Sequence, residues 1–310
     1  MADHKMVKKT DVSRGGARGS FNRWLIGAAA AICALALGVI LAVSVALRVE
    51  YGRVTPAHLL SIGNQLFERS DFESAEKVSL TALAAAEASG AVEERLSAMR
   101  LLAMTCEAQN KHDDAVRNLE QVVLLLEKER GLDDQDLGVA YSDLARLHVR
   151  HRDFEQGRRL HELALALYRR TLGSDHPRVA GSLCNLGIVA HLEGNLDEAE
   201  GLYKQATALL EAVPEAQYPD MANCLYNLAT LYVAEGRYGE AETCLKRGII
   251  IVENGAGVRA PELVPFLGKF EIVLRATGRE DSAQEQRTRA AAIRGDASAD
   301  SWRWQGALLR

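Results

Sequence analysis

The sequence predicts an all-α protein, an α-solenoid of about six helical hairpins preceded by one transmembrane helix. Two observations carry this. Turn-like segments recur at a 42-residue step: NKHDDAV from 110, RDFEQGR from 152, GNLDEAE from 194, GRYGEAE from 236 and GREDSAQ from 278. An earlier copy, RSDFESAE at 69–76, stands slightly out of step. Xaa-Pro junctions at Pro177, Pro219 and Pro261 keep the same interval. The second observation is LIGAAAAICALALGVILAVSVAL at 25–47, with no charged residue. Composition agrees: only 5% of the 310 residues are aromatic and six are proline, which favours helices over strands.

Residues 1–24 form a basic N-terminal tail, carrying Lys5, Lys8, Lys9, Arg14, Arg18 and Arg23 against Asp3 and Asp11. As a helix, 25–47 extends roughly 34 Å at about 1.5 Å per residue, enough to span a bilayer core of about 30 Å. A signal-peptide apolar region is shorter, about 7–15 residues, although Ser44 and Ala46 leave a cleavage site after Ala46 as the alternative. The excess of basic residues before the span places the N-terminus in the cytoplasm and the following domain across the membrane. A bacterial inner membrane with a periplasmic domain is the expected location, with an organelle inner membrane as the alternative. Ala30, Ala34, Gly38, Ala42 and Ala46 form one ridge of small residues, on which a second helix could pack. A short linker, 48–55, would hold the solenoid close to the membrane.

The solenoid is expected over 56–293, as six units of helix A, turn and helix B. In unit four, Leu183, Leu186, Gly187 and Ala190 mark one face of helix A, and Ala199, Tyr203 and Ala206 one face of helix B. Small residues recur where the helices of a hairpin should approach: Gly63, Ala103, Ala145, Gly187 and Ala229 against Ala75, Ala115, Gly157, Ala199 and Ala241. Gly194, Gly236 and Gly278 stand where helix A must end. Acids at Glu73, Asp113, Glu155, Asp197, Glu240 and Asp281 follow at the electropositive start of helix B. Residues 294–310 leave the pattern and form a disordered tail.

TLGSDHPRVAGSLCNLGIVAHLEGNLDEAEGLYKQA and YPDMANCLYNLATLYVAEGRYGEAETCLKRG resemble the tetratricopeptide repeat, specifically the long variety of kinesin light chains. The resemblance covers about residues 56–293 and implies a right-handed solenoid that binds peptides or proteins in its concave face. It is weaker in units one, two and six; in unit six, Glu271 at the small-residue position suits a terminal capping repeat. Light chains bind tryptophan flanked by acids, so Trp302 and Trp304 in the tail could occupy the groove, rest at a membrane interface, or do neither.

No Gly-rich phosphate loop, nucleophile elbow or HExxH is present, so neither an enzyme nor a cofactor is expected. The net charge of −5, set against a basic tail, leaves an acidic body that excludes nucleic acid as a partner. His148, His151 and His161 invite a metal reading, but His148 and His161 fall about 10 Å out of level within one hairpin, so they are read as core or surface histidines. Cys224 and Cys244 lie nearly level across their hairpin, a candidate disulfide beside the alternative of two buried thiols. The candidate peptide groove is lined by helix A positions: Arg100, Arg146 and Arg150, then Asn185, His191, Asn223, Tyr226 and Asn227. Arginines in a groove suit acidic segments through their planar fork. In the light chains such asparagines hold a bound peptide backbone, and Asp143 breaks that pattern in unit three.

Overall fold

The computed structural model describes residues 55–212 and 218–296. Among these the chain folds into twelve helices: α1 (Pro56–Glu68), α2 (Phe72–Ser89), α3 (Val92–Ala108), α4 (His112–Arg130), α5 (Gln135–Arg150), α6 (Phe154–Leu172), α7 (Pro177–Glu193), α8 (Leu196–Ala212), α9 (Tyr218–Ala234), α10 (Tyr238–Ala256), α11 (Leu263–Ala276) and α12 (Glu280–Asp296). The odd-numbered helices are the A helices of six hairpins and the even-numbered ones their B partners. Each packs on its neighbours in sequence, and A helices of consecutive hairpins also touch, as α7 and α11 do with α9. No described helix is long and apolar enough to cross a membrane. The expected span at 25–47, its ridge from Ala30 to Ala46 and the tail with Trp302 and Trp304 lie outside the described residues.

Every A-to-B turn reverses through one residue of positive φ. Gly194, Gly236 and Gly278 supply it in the last three hairpins, and Ser70, Asn110 and Arg152 in the first three. Glycine takes this conformation at little steric cost, whereas a side chain there costs about 1–2 kcal/mol. Helix B then starts with acids in its first turn, Glu73, Asp113, Glu155, Asp197, Glu240 and Asp281 among them. The Asp71 and Asp153 carboxylates also accept from backbone N–H groups at Ser74 and Gln156. Such caps satisfy helix-start donors that have no partner within the helix.

The small residues mark close approach. A Cβ on Gly157 would meet the carbonyl oxygen of Ala145 at 3.3 Å and Val149 Cγ2 at 2.5 Å. At Gly187 the obstacle is the Tyr203 ring, at 2.7 Å. From α6 onward the apolar contacts merge into one continuous core reaching Ile293, whereas α1–α5 are filled by smaller clusters.

Adjacent hairpins are also tied by ion pairs. Lys111 reaches Glu76, Arg237 reaches Glu200 and Arg279 reaches Glu242, each just before or at the start of a B helix and bonded to the B helix before it. Arg237 and Lys204 hold the Glu200 carboxyl down to about 2, and Arg279 with Lys246 does the same for Glu242.

Candidate peptide groove

The A-helix layer gathers the predicted groove residues into two groups. In the first, α3 and α5 bring together Arg100, Asp143 and Arg146. Arg146 donates to the Asp143 carboxylate at 2.7 Å. Burial pushes the Asp143 carboxyl up, while Arg146 and Arg100 pull it down. Arg100 Nε and Nη2 are buried without a protein partner. Arg150 does not join this group. It lies at the end of α5 and donates to Glu107 at 2.9 Å, beside the turns.

The second group lies on α7, α9 and α11. Asn185, His191, Asn223 and Tyr226 are half-buried, but Asn227 is only 2% exposed. Asn227 Nδ2 points at Cys184 Sγ at 3.8 Å, and its Oδ1 has no protein partner. Asn223 Oδ1 and His191 Nδ1 are likewise buried and unpartnered. An orphaned buried polar atom costs about 1–3 kcal/mol. Asn227 is therefore packed against Cys184 of the preceding repeat, with its Oδ1 buried and without a protein partner.

Two further residues were not anticipated. Lys269 stands over the Tyr226 ring at 5.6 Å, and Phe266 meets that ring edge-on at 5.2 Å. Burial lowers the Lys269 ammonium, and burial together with Lys269 lowers His191. The repeat step was the available signal: position 143 leads to 185, 227 and 269, so Asp143, Asn185, Asn227 and Lys269 form one column whose charge runs from acidic to basic.

The Cys224–Cys244 bridge expected as a candidate is not formed; all four described cysteines are free buried thiols. Cys224 interacts instead with Cys184 of the previous hairpin. The histidines separate as well. His161 is buried and pushed down to about 4, His148 pairs with Asp153, and His151 faces Glu107 and His112 of the second hairpin. Two open depressions, of about 710 and 610 Å³, lie on the first two hairpins and touch none of the predicted groove residues.

A family model for the tetratricopeptide repeat matches residues 55–128, 136–212 and 180–254. Among solved structures, BtubC (BKLC) from P. vanneervenii is 19% identical with a TM-score of 0.59, over 79% of this chain and 92% of that one. The kinesin light chain TPR-like repeats of P. anserina are 24% identical with a TM-score of 0.54, over 65% and 95%. A Rap protein complexed with competence and sporulation factor is 16% identical with a TM-score of 0.56, over 78% and 75%. These likenesses show the fold. No curated protein matches the sequence. With the family model covering more than half of its length and the hairpins on which it rests now described, the chain belongs to the tetratricopeptide repeat family.

Proposed function

We propose that the chain is a non-catalytic scaffold that binds an extended protein segment along its A-helix layer. One observation carries the reading: Arg100, His191, Asn223 and Asn227, all chosen from helix A spacing, hold buried polar atoms that the protein itself leaves unpartnered. Small side-chain rotations would offer these atoms to a peptide backbone, which carries a donor and an acceptor at nearly every residue. The Rap protein, complexed with its factor, offers a parallel in fold. Arg100, Lys269 and the Tyr226–Phe266 pair favour a segment carrying carboxylates and an apolar or aromatic side chain.

The scaffold, spanning 56–293, is proposed to be held at a membrane by 25–47, with its N-terminal tail cytoplasmic and the repeats across the bilayer. The uncharged 23-residue run supports this. A second reading, an assembly or stability factor for a membrane complex, is favoured by the ridge of Ala30, Ala34, Gly38 and Ala42, which another helix could use.

Selection of displayed random peptides on the purified full chain tests the groove. Acidic peptides should be enriched, and the Arg100→Glu/Lys269→Glu variant should lose them while keeping its helical circular dichroism. Unchanged enrichment in that folded variant would overturn the proposal. Arg146→Glu/Arg150→Glu is expected to act through Arg146, because Arg150 is engaged at the turns. Exchanging 25–47 for polyleucine separates the two readings, since only a ridge-borne partner would be lost.

A further inference from the structure

Glu107, His112 and His151 meet where the turns of the second and third hairpins lie side by side. Glu107 is in the last turn of α3, His112 begins α4 across the Asn110 turn, and His151 caps the C-terminus of α5. His112 Nδ1 and His151 Nε2 each lie 3.2 Å from the same carboxylate oxygen, Glu107 Oε2. The two imidazole rings are 3.6 Å apart between centroids, tilted by 52°. One donor atom from each residue fits within 4.8 Å of the others.

This convergence is more than hydrogen bonding requires. Two histidines crowd a single oxygen, while the second oxygen, Oε1, is taken by Arg150 at 2.9 Å. Arg150 thereby fixes the carboxylate's orientation and leaves Oε2 facing the imidazoles. The Glu107 side chain is 11% exposed, whereas His112 and His151 are 42% and 27% exposed, so the cluster is backed by protein and open on one side. Burial tends to raise the Glu107 carboxyl, but hydrogen bonds from His112, His151 and Arg150 hold it below its ordinary value.

The geometry points to a binding site for a divalent cation of the zinc type, with Glu107 Oε2, His112 Nδ1 and His151 Nε2 as ligands and water in the fourth position. Zinc bonds of about 2.0–2.2 Å in a tetrahedron place ligand atoms about 3.4 Å apart. Both histidine-to-glutamate distances are already close to that value. Imidazole and carboxylate donors suit zinc, nickel or copper over calcium or magnesium, which take oxygen ligands. Arg150 would serve as the outer partner that holds the ligating carboxylate. Because two ligands come from the second hairpin and one from the third, the ion would clip these repeats together at the turn edge of the A-helix layer. No reaction is assigned to the site.

Zinc titration of the purified full chain, read by a competing chromophoric indicator, should give one site per chain. His151→Ala and Glu107→Gln should each weaken it at least tenfold. His148→Ala, which alters a neighbouring histidine outside the cluster, should leave it unchanged. Cobalt in place of zinc should show tetrahedral visible bands without the intense near-ultraviolet absorption of thiolate ligation. To separate lost ligands from lost fold, each variant is compared by circular dichroism, with His112→Asn as a milder second change that also has to weaken binding. Absence of a one-to-one site, equal binding by folded His151→Ala, or a thiolate band would each overturn the assignment.

Discussion

Replacing Asn227 by leucine separates a residue that packs from one that binds. Asn227 is 2% exposed, its Oδ1 has no partner, and its Nδ2 makes only a long contact with Cys184 Sγ. An unpaired buried acceptor costs about 1–3 kcal/mol, while a weak contact to sulfur returns a fraction of that. Leucine has the same number of side-chain heavy atoms, and the second hairpin already places Leu101, 3% exposed, one repeat earlier in the column that leads through Asp143 and Asn185 to Asn227. Asn227→Leu should therefore stabilise the protein by about 1 kcal/mol, raising the urea midpoint by roughly 0.3 M at a slope near 3 kcal/mol/M. A selected peptide should bind about two- to tenfold more weakly, the worth of one hydrogen bond. Urea unfolding followed by circular dichroism and peptide titration by fluorescence anisotropy measure the two effects. A lowered midpoint would show that the Oδ1 is satisfied in the native protein. A raised midpoint with unchanged affinity would confine Asn227 to packing and refute its part in binding.

Three further outcomes follow from the packing. Glu200 and Glu242, held near 2 against an ordinary 4.5, contribute stability that is present above pH 4.5 and lost as the pH falls toward 2; Arg237→Gln/Arg279→Gln should flatten the acid limb of a stability-versus-pH curve, and an unaltered limb would contradict the ladder. Gly157→Ala gains about 1 kcal/mol of helix propensity but crowds Val149 and the Ala145 carbonyl, for a net loss of about 1 kcal/mol; in a Val149→Ala background the same change should become stabilising, and an identical cost in both backgrounds would refute the crowding. Non-reducing peptide mapping of the full chain should find no Cys224–Cys244 linkage, and its recovery would overturn the interaction of Cys224 with Cys184.

The hairpins were legible because their signals are local and repeated. A glycine at each later turn, acids just after it and small residues at the crossing all act within one unit, so each copy states the same instruction. The early turns were harder to read because Ser70, Asn110 and Arg152 take positive φ without glycine; the surrounding hairpin imposes the conformation on them. What the sequence reading missed lies between units. Cys224 was compared with Cys244 inside its own hairpin, but it interacts with Cys184 in the one before. Lys269 stands one repeat beyond Asn227, in a unit whose Glu271 gives it the look of a terminal cap.

His112 and His151 also pair between units rather than within one. Comparison of His148 with His161 tests whether two residues face each other within a hairpin, and they do not. In a stacked array the other near neighbour of any residue lies one repeat away. One repeat before His151 is position 109, flanked by Glu107 and His112. Each unit alone therefore offers too few donors to hold an ion, and only the stacking of the second turn on the third completes the set. A site of this kind forms only in the assembled array, so a bound ion would favour the stacked state of these two hairpins over any frayed one by its own binding free energy. Arg150 links that site to the reading of the groove, since the guanidinium assigned from helix spacing to peptide carboxylates is already committed to Glu107. The basic character available to a peptide rests instead on Arg100 in α3, Arg146 in α5 and Lys269 in α11.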